Sequence, residues 1–577
     1  MEVGEQPLRS ELFSVDLLQR HARQLAQRHQ VAPWKGPNRL LPRLAANEKL
    51  LRDYNEQTLQ VEKIRRVTPA AEWLLDNFYL IEEQIRMARR HLPRGFSREL
   101  PHLSSGPSAD LPRVYDLARE LISHVDGRID ASHLTSFIAA YQETTPLKLG
   151  ELWAIPIMLR LGLIENLRRV AALLTADRLD RDRANYWADL MREVTETKPS
   201  KLIIAVGDLA KSNPRLTPAF VTEFWQRMQE KASKVKLVQS WIEERLGEEG
   251  FTIEQMVQGE SQSQAANQVS VGNSITSLRF LDAMNWREFV ETLSVVEQTL
   301  REDPVDVYLQ MDFATRDTYR HVVEQIARRS TMTEAQVAAM AVRLARAHDQ
   351  EDQRLAHVGY YLLDKGVEDL ERAAKTKLPA RSRLVRNRPL AAYLGGIAAI
   401  TGALTFGLTQ LAVFANPQPL VRVAAVLVIL LCASQLAVSI VNWFAACFVR
   451  PRLLPRLDYS NGIPLKHRVM VVVPTMLSSA RGIENLIEGL EVRYLANRDE
   501  NVCFALLTDF PDAPQEHLPQ DEEWLQQVRD GVNSLNRKYG HQDGSVFYLF
   551  HRPRLWNEQD KVWMGYERKR GKLADFN

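Results

Sequence analysis

Two long apolar stretches, at residues 390–414 and 423–449, place the strongest constraint on what this chain can fold into. Neither stretch contains Asp, Glu, Lys or Arg, and each exceeds the ~20 residues that an α-helix needs to cross the hydrocarbon layer of a membrane. The segment between them, 416–422, is short and rich in turn-forming residues, so it predicts a tight connection. We therefore predict a two-helix transmembrane hairpin over residues 389–449, with both flanks on one side of the membrane.

Basic residues at the two ends of this hairpin indicate which side that is. The connecting segment contains only Arg422, whereas both flanks are rich in Lys and Arg: Lys375, Lys377, Arg381, Arg383, Arg386 and Arg388 before the hairpin, and Arg450, Arg452, Arg456, Lys466 and Arg468 after it. An excess of basic residues marks the cytoplasmic side of a membrane protein, so both flanks are predicted to be cytoplasmic. The alternative is a pair of buried helices in a large soluble protein, which the uncharged lengths and the basic flanks disfavour.

The remaining composition excludes several function classes. The formal net charge is +2 over 577 residues, so nothing predicts a nucleic-acid partner. The first residues lack a basic start followed by an apolar core, so no secretory signal is predicted. The three cysteines form neither a disulfide framework nor a metal-binding pair. His124 and His133 lack a third ligand at zinc spacing, so no metal site is predicted within the chain.

Residues 1–380 have the pattern of a large cytoplasmic all-helical region. One predicted helix begins after Thr68-Pro69, a capping residue followed by proline, and continues through the apolar positions Leu74, Phe78 and Ile85. Residues 258–277 are rich in amides and hydroxyls; we interpret them as a solvated loop or as capping groups, the alternative being a polar wall for sugar hydroxyls. Further helices are predicted at 113–124, 148–174, 218–246, 285–300, 314–329 and 333–347.

The pattern changes after the hairpin, over residues 466–577. A β-branched run at 468–475, an amphipathic segment at 483–496 and a second apolar run at 502–509 predict strand, helix and strand, which is the beginning of an α/β domain with a parallel sheet. The second run ends at Asp509, and ligands bind at the carboxyl ends of the strands in open α/β folds. Asp509 is therefore a candidate ligand-binding carboxylate, although a turn or helix-capping aspartate has the same pattern.

Several segments of the chain resemble the cyclic β-1,2-glucan synthases. In the helical region they are 73–78, 81–86, 149–156, 264–274 and 282–288; after the hairpin they are Val-Val-Val-Pro-Thr at 471–475, 491–497, Ala-Leu-Leu-Thr-Asp-Phe at 505–510, and 563–572. The resemblance implies an amino-terminal fragment of a multi-pass enzyme of the bacterial inner membrane. This enzyme would polymerise glucose from UDP-glucose into a growing glucan chain and close that chain into rings.

The resemblance also implies a GT-A-like glycosyltransferase domain and roles for particular residues. Asp509 matches the first nucleotide-binding aspartate of the family. Pro474 and Thr475 are expected to shape the nucleotide-sugar pocket. Arg570 and Lys572 are expected to line the diphosphate pocket, together with Arg568 and Lys569, while a solvated charge run remains the alternative. Weaker candidates for the same neighbourhood are His551, Arg552, Arg554 and Trp556.

The expected catalytic and metal-binding motifs do not follow Asp509 within this sequence. The resemblance implies Mg²⁺ or Mn²⁺ in the full-length enzyme, with its carboxylate ligands and the catalytic base beyond Asn577 and contributed by the remainder of that enzyme. The chain alone is therefore expected to be inactive. The alternative is a membrane-anchored helical scaffold or regulatory module without catalysis.

Overall fold

The structure is a computed structural model that describes residues 5–34, 36–62, 67–92, 95–197, 199–229, 236–348, 352–376, 389–413, 418–448, 454–540 and 545–577. The chain divides into two compact units. The first comprises Met1–Leu309 and Asp317–Val449, and the second comprises Gln310–Arg316 and Arg450–Asn577. The predicted class is confirmed at the coarse level, since the described residues are mostly helical, with two long apolar helices and a small parallel sheet near the carboxyl end.

The first unit is a bundle of helices with one short antiparallel strand pair, β1 (Val31–Ala32) and β2 (His102–Leu103). Its helices before the apolar pair are α1 (Val15–Arg28), α2 (Leu40–Glu62), α3 (Pro69–Asp76), α4 (Phe78–His91), α5 (Phe96–Glu99), α6 (Arg113–His124), α7 (Ala131–Gln142), α8 (Leu149–Thr197), α9 (Leu202–Ser212), α10 (Pro218–Gln229), α11 (Lys236–Glu248), α12 (Ile253–Ala283), α13 (Trp286–Leu293), α14 (Val295–Leu300), α15 (Phe313–Ala327), α16 (Glu334–Arg346), α17 (Val358–Leu363) and α18 (Val367–Ala373). The start of α15, up to Arg316, belongs to the second unit.

Helix α8 connects two separate hydrophobic cores. It has 49 residues, which corresponds to a length of about 75 Å. Its first half is buried with α2, α6 and α7, whereas its second half packs with α9, α10 and α11. Helix α12 contributes to both cores in the same way, so these two helices hold the bundle together.

Two of the predicted helices are interrupted in the structure. The stripe that begins after Thr68 is divided at Asn77 between α3 and α4, and the Thr68 side chain makes no capping hydrogen bond. The segment 285–300 is divided at Ser294, whose side chain accepts a hydrogen bond from the backbone of Glu297 and so starts a new helix. In both cases a polar residue separates two short helices, whereas the apolar periodicity of the sequence predicted one continuous helix.

The interpretation of residues 258–277 as a loop was wrong, because they lie within the 31-residue helix α12. Several of their hydroxyls have buried partners inside the helical unit. The Asn166 amide donates to Ser270 and Ser274. Ser277 accepts a hydrogen bond from the backbone N–H of Ile129 and donates to the carbonyl of Gly127. Ser270, Ser274 and Ser277 therefore lie on a buried, hydrogen-bonded face of the helix, whereas Ser261 and Gln262 are exposed.

The two apolar stretches form helices α19 (Pro389–Val413) and α20 (Pro419–Phe448). By length and composition, both can cross a membrane. Only 6% of the most apolar 18-residue segment of α19 and 11% of that of α20 is buried, whereas a helix in the core of a soluble protein is mostly buried. The Tyr393 hydroxyl donates to the Asn442 side chain over 2.8 Å, so the start of α19 lies beside the end of α20, as in a hairpin. Much of the predicted basic flank, including Arg388 and Arg450, lies outside the described residues.

The second unit contains a three-stranded parallel sheet with the order β3-β4-β5. Its strands are β3 (Val469–Met476), β4 (Val502–Asp509) and β5 (Phe547–Arg552), and a small antiparallel pair follows, β6 (Leu555–Asn557) and β7 (Val562–Met564). Its helices are α21 (Ala480–Ala496), α22 (Asp521–Tyr539) and α23 (Arg568–Phe576). The predicted strand, helix and strand are confirmed, and the parallel pairing places the carboxyl ends of all three strands at one edge.

Candidate functional site

Asp509 is the last residue of β4, the central strand of the sheet. Every residue of β4 is buried, which explains why its sequence reads as a continuous apolar run. The parallel register pairs Asp509 with Met476 of β3 and with Arg552 of β5, so the ends of all three strands meet here. The Asp509 side chain is only 2% exposed. A carboxylate in such a place needs partners, because burial of an unpaired charge is costly.

Lys572 of α23 is the first of these partners. Its Nζ atom lies 2.9 Å from Oδ1 of Asp509 and 2.5 Å from the backbone carbonyl oxygen of Thr475. The Lys572 side chain is 3% exposed. This lysine therefore connects α23 to the ends of both β3 and β4.

Arg552, the last residue of β5, is the second partner. Its Nη2 atom lies 3.3 Å from Oδ2 of Asp509, and its Nη1 atom lies 3.0 Å from the exposed carboxylate of Asp575. The Nε atom of Arg552 is buried and has no hydrogen-bond partner among the described residues. One buried carboxylate thus contacts two cations, and one of these, Arg552, is shared with the exposed carboxylate of Asp575.

Two glycines allow the chain to approach this cluster closely. A Cβ atom at Gly565 would lie 2.4 Å from Oδ2 of Asp509, and one at Gly571 would lie 2.8 Å from Nη1 of Arg552 and 2.2 Å from the carbonyl oxygen of Tyr566. Any side chain at either position would displace the cluster or the backbone. The segment that contains these glycines therefore covers Asp509.

His551 lies beside the cluster as a neutral group. Its Nδ1 atom is 2.9 Å from Oγ1 of Thr508, and its ring packs edge-on against Phe510 at 4.5 Å. Burial lowers the pKa of His551 to about 4, against the opposing effect of the Asp509 charge. This histidine is uncharged near neutral pH and adds no positive charge to the site.

The structure brings some of the predicted nucleotide-sugar residues together and separates others. Asp509, Lys572 and the backbone of Thr475 are in direct contact. Pro474 pairs with Leu507, two residues before Asp509, so it lies at the side of the site. Arg570 does not reach the cluster, because its side chain is 86% exposed and pairs with Glu567 at 3.5 Å.

The other basic and aromatic candidates lie around this edge of the sheet in different roles. Arg568 pairs with Asp512, and Lys569 is exposed. Arg554 forms a buried ion pair with Asp521 and donates to the carbonyl of Pro511, which fixes the segment after β4. Trp556 is exposed in β6.

Arg552 is one of the weaker candidates from the sequence, and Gly565 is not among the sequence candidates. The sequence feature that could have identified Arg552 is the apolar run that begins at Phe547 and ends in His551-Arg552. In the structure this run is the third parallel strand. A third strand at this register would have placed Arg552 beside Asp509. Gly565 had no comparable signal, because its close contact with Asp509 depends on the tertiary fold.

Among the described residues, the side chains around Asp509 do not fit the ligand set of a Mg²⁺ or Mn²⁺ site. Such ions take oxygen ligands, mostly carboxylates and water. Here both oxygens of the Asp509 carboxylate face cations. Oδ1 faces Lys572, and Oδ2 faces Arg552. The arrangement suits an anionic or hydrogen-bonding ligand better than a metal.

No model of a known protein family matches the chain. The chain is 34% identical over 584 aligned residues to the cyclic beta-(1,2)-glucan synthase NdvB of Rhizobium meliloti (strain 1021), and the alignment covers 99% of the chain. The chain is a relative of a cyclic beta-(1,2)-glucan synthase. It spans 20% of the length of that synthase, and the alignment includes the helical unit, the apolar helices and the sheet with Asp509. The resemblance predicted from the sequence motifs is confirmed.

Proposed function

We propose that this chain is the membrane-anchored, donor-binding part of a glycosyltransferase that uses UDP-glucose to build cyclic β-1,2-glucan. The single observation that carries the proposal is the similarity to a cyclic beta-(1,2)-glucan synthase along 99% of the chain. The position of Asp509 at the carboxyl edge of a parallel sheet supports it, because this is where α/β folds bind nucleotides. We propose that the sheet is the beginning of a GT-A-like domain.

In this proposal, Asp509 accepts hydrogen bonds from the nucleotide while Lys572 and Arg552 face its diphosphate. A carboxylate offers about four lone-pair positions, and the two cations occupy two of them. Lysine and arginine are the usual partners of phosphate oxygens, and arginine binds them in a bidentate manner. The pocket walls are assigned to Pro474 and Thr475, while Arg570 contributes only if its exposed side chain turns toward the ligand.

Helices α19 and α20 are proposed to be a hairpin in the bacterial inner membrane, with both flanking regions cytoplasmic. Their length, their low burial and the Tyr393–Asn442 contact support this topology. A donor site on the cytoplasmic side would have access to UDP-glucose, and the hairpin would hold the growing glucan near the bilayer. Mg²⁺ or Mn²⁺ is proposed to act in the full-length enzyme through residues other than the Asp509 cluster.

The alternative function is a membrane-anchored helical scaffold without catalysis. One observation favours it. Asp509 is 2% exposed, and Gly565 and Lys572 cover it, so a ligand reaches the carboxylate only if this cover moves. A scaffold would keep the cluster closed as a structural ion pair, whereas a donor site would open when the nucleotide binds.

Equilibrium binding to the complete 577-residue chain in detergent distinguishes the two functions. We expect saturable binding of UDP-glucose and UDP, weaker binding of ADP-glucose, and a loss of about tenfold in UDP affinity, equivalent to about 1.4 kcal/mol, in Asp509→Asn. Lys569→Met is the matched control, because Lys569 is exposed on the same helix. Absence of saturable UDP binding by the unmodified chain would overturn the donor-site proposal and support the scaffold.

A further inference from the structure

A second cluster of titratable side chains lies in the helical unit. His21 belongs to α1, whereas Glu120 and His124 lie one turn apart at the end of α6. One ligand atom from each of the three side chains can be chosen so that all lie within 4.8 Å of one another. No sequence pattern connects them, because about a hundred residues separate His21 from the other two.

Two distances within this cluster are close to the spacing of ligands around one metal ion. Oε2 of Glu120 lies 2.9 Å from Nε2 of His21 and 3.7 Å from Nε2 of His124. Zn²⁺ binds imidazole nitrogen at ~2.0–2.1 Å and carboxylate oxygen at ~2.0–2.2 Å, so two ligands of a tetrahedral ion are about 3.4 Å apart. The observed spacings lie on both sides of this value, so small rotations of the side chains would complete the geometry.

The surrounding residues orient His124 for metal binding. Its Nδ1 atom lies 2.8 Å from the backbone carbonyl oxygen of Glu11, which holds the proton on Nδ1 and leaves the Nε2 lone pair facing Glu120. Metal-binding histidines generally have such a hydrogen bond from their second nitrogen. The ring of Phe13 stacks on His124 at 3.9 Å, so the imidazole is also held by packing.

The cluster is partly shielded and remains open to solvent. The side chains of His21, Glu120 and His124 are 17%, 33% and 11% exposed. An ion can therefore enter, and a water molecule can occupy a fourth coordination position.

We propose that His21, Glu120 and His124 bind one divalent transition-metal ion, with Zn²⁺ favoured by two imidazoles and one carboxylate. The ion would join α1 to α6 and fix the amino-terminal segment, whose Ser10 and Phe13 already donate backbone hydrogen bonds to Ser123 and His124. This site is independent of the donor site at Asp509, since it is built entirely from the helical unit.

A simple ion pair between His21 and Glu120 is the competing explanation. The chain contains a natural comparison for it: His133 contacts Asp130 at 2.6 Å. If the His21 cluster is only an ion pair, both sites should respond to metal in the same weak way. If it is a metal site, only the cluster with the third ligand should retain the ion.

The test uses the complete chain in detergent, stripped of metal and then titrated with ZnCl₂ against a chromogenic chelator. We expect one equivalent of Zn²⁺ to be retained and the melting temperature to rise, as binding to the folded state requires. His21→Gln and Glu120→Gln should each weaken retention at least tenfold, whereas the control His133→Gln should leave it unchanged. Slower hydrogen exchange in α1 with Zn²⁺ should accompany binding.

Substitution with Co²⁺ identifies the ligands independently of the variants. We expect a visible absorption spectrum without a thiolate charge-transfer band, which excludes the three cysteines as ligands. Failure of the unmodified chain to retain Zn²⁺ would overturn the proposal, as would retention that is equal in the double variant His21→Gln/His124→Gln.

Discussion

The ammonium group of Lys572 lies 2.9 Å from the carboxylate of Asp509, and both side chains are at least 97% buried. The two residues are 63 positions apart, so this contact defines how the last helix packs against the sheet. A buried ion pair of this kind is strongly destabilised when one partner is removed, because the other charge remains buried. Lys572 should therefore determine both the stability of the sheet edge and its affinity for a nucleotide.

Lys572→Met should destabilise the second unit by on the order of 3 kcal/mol. Arg552 would remain as the only cation in contact with Asp509. Hydrogen exchange of the β4 amides measures this local stability and should become faster in the variant. Lys569→Met removes an exposed lysine from the same helix and should leave the exchange unchanged. Equal exchange in both variants would show that the buried pair has no structural role.

Gly565→Ala should disturb the cluster without changing any charge. The added Cβ would lie 2.4 Å from Oδ2 of Asp509, closer than the atoms can approach, so either Asp509 or the segment that covers it must move. We expect weaker UDP binding and a lower melting temperature. Gly259→Ala is the control, because a Cβ there meets nothing within 4 Å. An unchanged UDP affinity in Gly565→Ala would contradict the assigned position of the donor.

The stability of the second unit should fall as the pH decreases from about 6.5 to about 4. The pKa of His551 is lowered from 6.5 to about 4 by burial, so over this range the unfolded chain binds a proton that the folded chain excludes. Asp509, Asp521, Arg529 and Arg554 are the charged groups that act on this histidine. In the variant His551→Asn, whose amide can still form a hydrogen bond with Thr508, the second unit should lose less stability over this pH range. The difference between the two chains, measured by urea unfolding at pH 7.5, 5.5 and 4.5, isolates the contribution of His551.

Glu165→Gln should destabilise the helical unit. Burial raises the pKa of Glu165, but the paired hydrogen bonds from Arg43 and those from Tyr115 and Arg169 outweigh this effect and lower it to about 2. The stability that ionised Glu165 contributes is fully present above pH 4.5, the pKa of this residue in the unfolded chain. It is lost as the pH falls toward 2. From the pKa difference, the contribution near neutral pH is about 3 kcal/mol.

The exposed pair of Arg23 and Glu143 provides the control for this prediction. Both side chains are largely accessible to solvent, so Glu143→Gln should have no measurable effect on urea unfolding at pH 7.5. A Glu165→Gln variant as stable as Glu143→Gln would show that the buried network does not stabilise the helices.

The sequence predicted those parts of the fold that depend on local pattern. The lengths of α19 and α20, the strand ending at Asp509 and most helix positions follow from apolar periodicity and from the absence of charge. The pattern failed where tertiary partners replaced solvent. Ser270, Ser274 and Ser277 look like loop residues, yet they bond to Asn166 and to the backbone around Gly127.

The candidate site was predictable only in part for the same reason. Asp509 ends an apolar strand, and Lys572 lies in a basic segment, so both could be identified from sequence. The orientation of the basic side chains on α23 could not be predicted from the sequence. Lys572 points to Asp509, whereas Arg570, two positions earlier, points to solvent, and this difference arises from the contacts of Lys572 with the ends of β3 and β4.

The membrane topology of the chain is the most direct test of the account, because a donor site for UDP-glucose must face the cytoplasm. In a background without native cysteines, single cysteines are introduced at three exposed positions, as Tyr186→Cys, Gln418→Cys and Glu558→Cys. A membrane-impermeant maleimide is then added to intact bacterial spheroplasts. The proposed topology predicts labelling of Gln418→Cys alone, with the other two labelled only after permeabilisation. Labelling of Glu558→Cys in intact spheroplasts would place Asp509 outside the cytoplasm and contradict it.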